Sequence, residues 1–231
     1  MGVTLNGKHT DEWGLTVESL EISPPKPKTN KIKVPFGIDL DLSETDGVVH
    51  YENRTIKMVL GAKKNRQAWR TYLSVFLNAY HGQAVTITPD DDLGYYYYGR
   101  AQVQGDVDVV ARIGKFTMIV DVQPYKYDVK TSIEDWLWDP FNFETGVIRE
   151  VKDIQITASN KTVEILGSGL DVVPIFAVSA SDSLALTYGG KSYPLPVGQT
   201  RLPEVRVGGT TQTLTFTGTG TLSIDFRGRS L

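Results

Sequence analysis

Cysteine is absent from the 231 residues. That excludes a disulfide framework, a thiolate zinc site and a thiol nucleophile. Small secreted modules are often disulfide-dense, so the absence favours assembly in a cytosol. A basic surplus is missing too. The chain has 24 Lys and Arg against 27 Asp and Glu, a net charge of −3, and a nucleic-acid binder shows the opposite balance. No apolar run approaches the roughly 20 residues of a membrane span, and the opening residues 1–13 lack the apolar core of a signal peptide. No membrane partner is expected.

Motifs that carry chemistry are equally scarce. His9, His50 and His81 stand alone, without metal-ligand spacing. There is no nucleophile elbow, phosphate-binding loop or dinucleotide fingerprint, and Gly167-Ser168-Gly169 reads as a turn. A calcium loop counted from Asp39 fails, because Glu44 stands where glycine belongs and His50 where glutamate belongs. Asp90, Asp91 and Asp92 read as a solvated turn, since adjacent side chains diverge. No carboxylate pair is singled out for glycoside hydrolysis. The sequence therefore predicts no catalytic residue, metal or cofactor.

What is present is strand texture and one helix. Hydrophobic residues make up 40% and charged residues 22%, the balance of a folded protein. The most distinctive stretch follows Lys31. Phe36, Ile38, Leu40 and Leu42 alternate with Gly37, Asp39 and Asp41, a period of two with one apolar and one acidic face. Asp46-Gly47 is a turn dipeptide, and Val48, His50 and Tyr51 resume extended chain. These residues predict a long two-stranded ribbon, only marginally stable unless it leans on something. Before it, Pro24, Pro25 and Pro27 impose an extended connector, which also carries Lys26, Lys28, Lys31 and Lys33. The lysines read either as a basic patch for an acidic partner or as charge that keeps a linker soluble.

Elsewhere, Val3–Leu5 is a strand ended by the hairpin dipeptide Asn6-Gly7. A second strand is expected from near Trp13, with a bulge at Glu18-Ser19 where the apolar parity switches. Trp69, Tyr72, Leu73, Phe76, Leu77 and Tyr80 recur at helical spacing. They predict one amphipathic helix over 66–80, capped by Asn65 and stopped by Gly82, plugging an open side of a sheet. Strands are expected at 84–88, 95–103, 107–113 and 115–122. In the Tyr95–Tyr98 run about two rings should face away from the core. Tyr95, Tyr96 and Tyr97 are the exposed aromatic contact candidates, since such rings favour interfaces or sugar stacking. From Gly146 charge thins, and short strand runs recur with Gly189-Gly190 and Gly208-Gly209 as hairpin turns, the texture of a β-sandwich with a jelly-roll-like layout. The expected organisation is an N-terminal β-barrel or sandwich-like domain over 1–130, an aromatic inter-domain segment over 131–145 containing Trp136 and Trp138, and a C-terminal sandwich over 146–231.

Taken in order, several short motifs resemble the distal tail (Dit) proteins of siphophages infecting Gram-positive bacteria. They are Asn6-Gly7 with Trp13-Gly14-Leu15, Tyr51-Glu52-Asn53-Arg54 before the single helix, Tyr98-Gly99-Arg100, Pro124-Tyr125-Lys126-Tyr127, Trp138-Asp139-Pro140-Phe141-Asn142-Phe143 and Asp225-Phe226-Arg227. The resemblance spans nearly the whole chain. It implies a structural virion protein of the tail tip, assembled in the host cytoplasm, whose copies close a six-fold ring. The ring would sit between the tail tube protein and the tail-associated spike or lysin, with DNA only as passing cargo. It also implies a galectin-like C-terminal sandwich that points outward and, in some phages, docks receptor-binding proteins. A head-to-tail ring needs a heterologous interface, and the ribbon can supply one by pairing with the next subunit. The interface candidates are Ile38, Asp39, Leu40, Asp41, Leu42 and Tyr51. Two other readings stay open: Asp39 and Asp41 line the bore, or Ile38, Leu40 and Leu42 pack on their own domain. The alternative function is a stand-alone carbohydrate-binding module.

Overall fold

The computed structural model describes residues 1–45, 47–63, 66–110, 113–135, 148–167 and 169–231. Over these residues the chain is mainly antiparallel β with one α-helix, and it divides into two compact units. The first comprises Met1–Asp92, Tyr96–Lys126 and Leu231, and the second Leu93–Tyr95 and Tyr127–Ser230.

In the first unit, β1 (Val3–Leu5) and β2 (Lys8–His9) form the hairpin that Asn6-Gly7 dictates, with Leu5 opposite Lys8. Asn6 and Gly7 have φ of 50° and 79°, the left-handed pair that matches strand twist. The stretch 10–13, including Trp13, is a 3₁₀ turn and not the start of a strand. His9 caps it: its Nδ1 accepts the Asp11 N–H, and Glu12 accepts the His9 N–H. That capping box outcompetes the weak strand preference. Next come β3 (Thr16–Ile22), β4 (Lys31–Ile32), β5 (Leu40–Asp41), β6 (Arg54–Lys63), α1 (Arg66–Tyr80), β7 (Ala84–Pro89), β8 (Tyr95–Val110) and β9 (Ile113–Val122). The sheet runs β2-β1-β7-β8-β9-β6-β3.

The register of β3 against β6 slips between Val17 and Ser19, the bulge that the parity switch predicts. By contrast, 95–110 is one strand and not two. Gly105-Asp106 produces a slip between Gln104 and Asp108 instead of a turn, because the long partner β9 keeps the ladder continuous. Helix α1 lies over the sheet as its stripe predicts. Trp69 and Phe76 are buried against Phe116, with ring centroids 6.0 and 4.9 Å away. The Trp13 indole edges onto Phe76 and donates to the Tyr80 hydroxyl at 3.1 Å. Gly114 lies directly beneath Trp69, where a Cβ would strike the indole. The Asn65 cap falls outside the described residues.

The second unit is built on two long strands. After β10 (Lys126–Asp128), β11 (Ile154–Ile156) and β12 (Thr162–Ile165) comes β13 (Ile175–Tyr188), then β14 (Lys191–Pro194), β15 (Gly198–Arg201), β16 (Gln212–Asp225) and β17 (Arg229–Ser230). β10 pairs with β17, while β13 pairs with β16 along most of its length. The first half of β13 also pairs with β15, and its second half with β14. β16 takes β12 on its first half and β11 on its last. Bulges between Val178 and Ala180 and between Asp182 and Ala185 bend the pair. Phe176, Leu186, Leu214, Phe216, Leu222 and Ile224 from both halves meet in one core.

At the bend Gly218 has φ 77°, and a Cβ there would collide with the Ser183 carbonyl. Sequence punctuation suggested separate short strands here, but the bulges let two strands serve both layers. Gly189-Gly190 is a hairpin turn between β13 and β14, as expected. Gly208-Gly209 is not, because β15 and β16 both pair with β13. Residues 131–135, expected in a connector, belong to the second unit. Buried Ser132 donates to the Ile224 carbonyl and accepts the Phe226 N–H. Trp136 and Trp138 lie outside the described residues.

Candidate assembly surface

The ribbon exists, but its legs differ from those that periodicity suggests. The expected ribbon turned at Asp46-Gly47 and set 38–42 against 48–51. Instead the lysine-bearing connector is the outgoing leg. The Glu52 N–H donates to Lys26 C=O at 2.8 Å, the Lys28 N–H donates to His50 C=O at 2.7 Å, and Pro27 bridges Tyr51. Farther out, the Leu42 N–H donates to Asn30 C=O, and β4 pairs with β5 with Lys31 opposite Asp41 and Ile32 opposite Leu40. The tip is Val34-Pro35-Phe36-Gly37, closed by the Gly37 N–H on Val34 C=O at 3.1 Å. Pro35 presets the first central position of such a turn. Phe36 takes φ 61° at the second, a conformation that breaks the expected strand and costs a non-glycine residue about 1–3 kcal/mol. Gly47 closes a side turn on the return leg, donating to Glu44 C=O. Asp46 itself is outside the described residues.

The candidate apolar residues do not reach their own core. Ile38 is 93% exposed, Leu40 55% and Leu42 39%, with Phe36 fully exposed and Ile32 half exposed. The reading in which they pack on their own domain is therefore overturned. In the paired part, Ile32 and Leu40 share one face while Lys31 and Asp41 share the other, since opposed residues of an antiparallel pair point the same way. Tyr51 differs from this group. It is half-buried, and its ring meets Tyr125 edge-on at 6.2 Å.

Both acidic candidates act locally. Asp39 Oδ1 accepts the Val34 N–H at 3.2 Å and so braces the tip. Asp41 Oδ1 accepts the Ser43 N–H at 3.0 Å and also the Ser43 hydroxyl. These bonds, the hydroxyl first, hold the Asp41 carboxyl below its ordinary value, with a smaller contribution from Lys31.

The tyrosine run needs a correction. Tyr97 is 5% exposed and belongs to the first core; Tyr98, at 42%, is the exposed ring. Tyr95 and Tyr96 are half-buried. The run's parity is set by β7, which pairs Ile87 with Tyr97 and so turns Tyr97 inward. Sequence reasoning also missed Arg54. It is buried, its guanidinium lies 4.7 Å from the Tyr97 ring centroid, and its Nε and Nη2 have no hydrogen-bond partner among the described residues. Burial pushes the Arg54 pKa down, and it raises that of the Tyr97 phenol against the opposing pull of Arg54. A lone arginine opening a strand carries no local signal of this fate. Among the described residues, no three His, Asp or Glu side chains converge as metal ligands.

No family model matches the chain, and no curated protein matches it by sequence. Among solved structures, the chain is similar to the Dit protein (gp19.1) of phage SPP1, described as a paradigm of the hub adsorption apparatus of phages infecting Gram-positive bacteria. The similarity covers 100% of this chain and 99% of that one, with a TM-score of 0.64 and 14% sequence identity. The chain thus shares the fold of that protein.

Proposed function

We propose that this chain is a structural hub protein of a phage tail tip, with no catalytic role. Copies close a six-fold ring through the ribbon. The ring joins the tail tube protein on one side to the tail-associated spike or lysin on the other, and DNA passes through as cargo. The C-terminal sandwich faces outward, where it docks receptor-binding proteins. On this reading the protein resides in the virion and assembles in the host cytoplasm.

The observation that carries the reading is the ribbon. Ile32, Phe36, Ile38, Leu40 and Leu42 are exposed together on an arm that contributes nothing to its own core. Burying apolar surface yields about 25 cal/mol per Å², so such an arm is stabilised by whatever covers it. A contiguous apolar surface marks an interaction site, and the full-length likeness to a hub protein supports a tail-tip partner set.

The test is the mass of purified protein by light scattering, with negative-stain imaging. The expected particle is a ring of six copies of the 25.6 kDa chain. Ile38→Ser with Leu40→Ser and Leu42→Ser is expected to leave folded monomers. A ring that persists in this triple variant removes the ribbon from the interface. The second reading, a glycan-binding module, has the exposed Tyr98 in its favour. Saturable binding by monomer on a glycan array, with no ring on the grid, would select it instead.

A further inference from the structure

The two legs of the ribbon carry opposite charge. Residues 24–33 hold Lys26, Lys28, Lys31 and Lys33 and no acid, whereas residues 39–52 hold Asp39, Asp41, Glu44, Asp46 and Glu52 and no Lys or Arg. Apart from Asp46, which lies outside the described residues, these side chains are all exposed. The backbone bonds from Lys26–Glu52 out to Lys31–Asp41 lay the legs side by side, so one long edge of the ribbon is basic and the other acidic. Little of this charge is neutralised internally. Among the described residues, the one ion pair within the ribbon is Lys31–Asp41 at 3.7 Å, with both side chains more than half exposed. Such a pair is worth little. Asp39 and Asp41 are held on their leg by the Val34 and Ser43 bonds. Among the described residues β4 and β5 form a sheet of two strands alone, so each has an outer backbone edge with no strand beside it there.

We propose that this transverse charge gradient orients neighbouring copies: the lysine leg of one ribbon lies beside the carboxylate leg of the next. The proposal rests on the reading that copies of the chain assemble through the ribbon. Two ribbons meeting edge to edge about a two-fold axis would bring the same edge of both copies together, lysine on lysine or carboxylate on carboxylate. A head-to-tail contact brings unlike edges together and can be repeated around a ring. Charge of this kind selects the partner's orientation and rejects wrong ones more than it adds affinity. Burial of the apolar residues holds the contact, and the two edges give it direction.

Complementary reversals test this. One variant reverses the lysine leg: Lys26→Glu, Lys28→Glu and Lys33→Glu. The other reverses the carboxylate leg: Glu44→Lys, Asp46→Lys and Glu52→Lys, with Asp39 and Asp41 kept because they brace the turns. Sedimentation over a concentration series reads assembly, and circular dichroism confirms that each variant is folded. Each variant alone has two edges of one net sign and is expected to need at least about tenfold more protein to assemble. An equimolar mixture is expected to recover wild-type assembly as alternating rings with an even number of copies. A reversal variant that assembles like wild type, or a mixture that fails to recover, overturns the charge gradient while the self-assembly reading stands. Wild-type protein that remains monomeric throughout the series overturns both.

Discussion

Asp41 shows how one carboxylate shapes the return leg. Its pKa is lowered chiefly by the Ser43 hydroxyl and then by the Ser43 N–H. A folded-state value below that of the unfolded chain means the bonds stabilise the turn above the ordinary aspartate pKa of about 3.9. That stabilisation is lost as pH falls through the lowered value. Carbon-13 titration of the Asp41 carboxyl is expected to give a midpoint below the ordinary one, and Ser43→Ala should move it back up. Arg54 and Tyr97 make a second residue-scale case. A buried cation with two unpartnered nitrogens is costly, and the tyrosine ring offsets part of that cost. Arg54→Met is therefore expected to change stability by no more than about 1 kcal/mol. Tyr97→Ala opens the core beneath the cation and should cost about 3–5 kcal/mol. Urea unfolding of both variants checks the contrast. Neither behaviour was legible in sequence, where Arg54 opens an ordinary strand and Tyr97 is one ring of four.

At the scale of elements, the best-read features are those whose cause lies within one segment. The stripe from Trp69 to Tyr80 repeats at helical spacing over about three turns, and α1 occupies Arg66–Tyr80. The parity switch after Val17 locates the β3 bulge, and Asn6-Gly7 makes its hairpin. The long strands were read as fragments because Gly105-Asp106 and the 179–184 stretch look like turns in isolation. In β13 and β16 the bend depends on Gly218, whose positive φ and missing Cβ leave room for the Ser183 carbonyl. Gly218→Ala is expected to destabilise the second unit by at least about 1 kcal/mol from backbone strain alone. The collision adds to that, and a thermal melt would read it as a lowered transition. A wild-type melt for this variant would mean that the bend does not need the glycine.

For the whole molecule, the ribbon is separable from the fold. No described residue of 29–49 belongs to either core, and Lys28 faces His50 across the root. Replacing 29–49 with Asn-Gly closes a two-residue hairpin at that point. The expected product melts within about 4 °C of the intact chain and stays monomeric at concentrations where the intact chain assembles. A large loss of stability would instead make the arm part of the domain's own structure. The sequence by itself determined the β class, the one helix, and the presence of a two-faced apolar and acidic segment after Lys31, because hydrophobic period and turn chemistry act over a few residues. Only the tertiary structure decided which leg that segment pairs with, which tyrosine turns inward and where two strands become one. Those outcomes depend on competition among distant backbone partners of similar local preference, and nothing in a single segment ranks one partner above another.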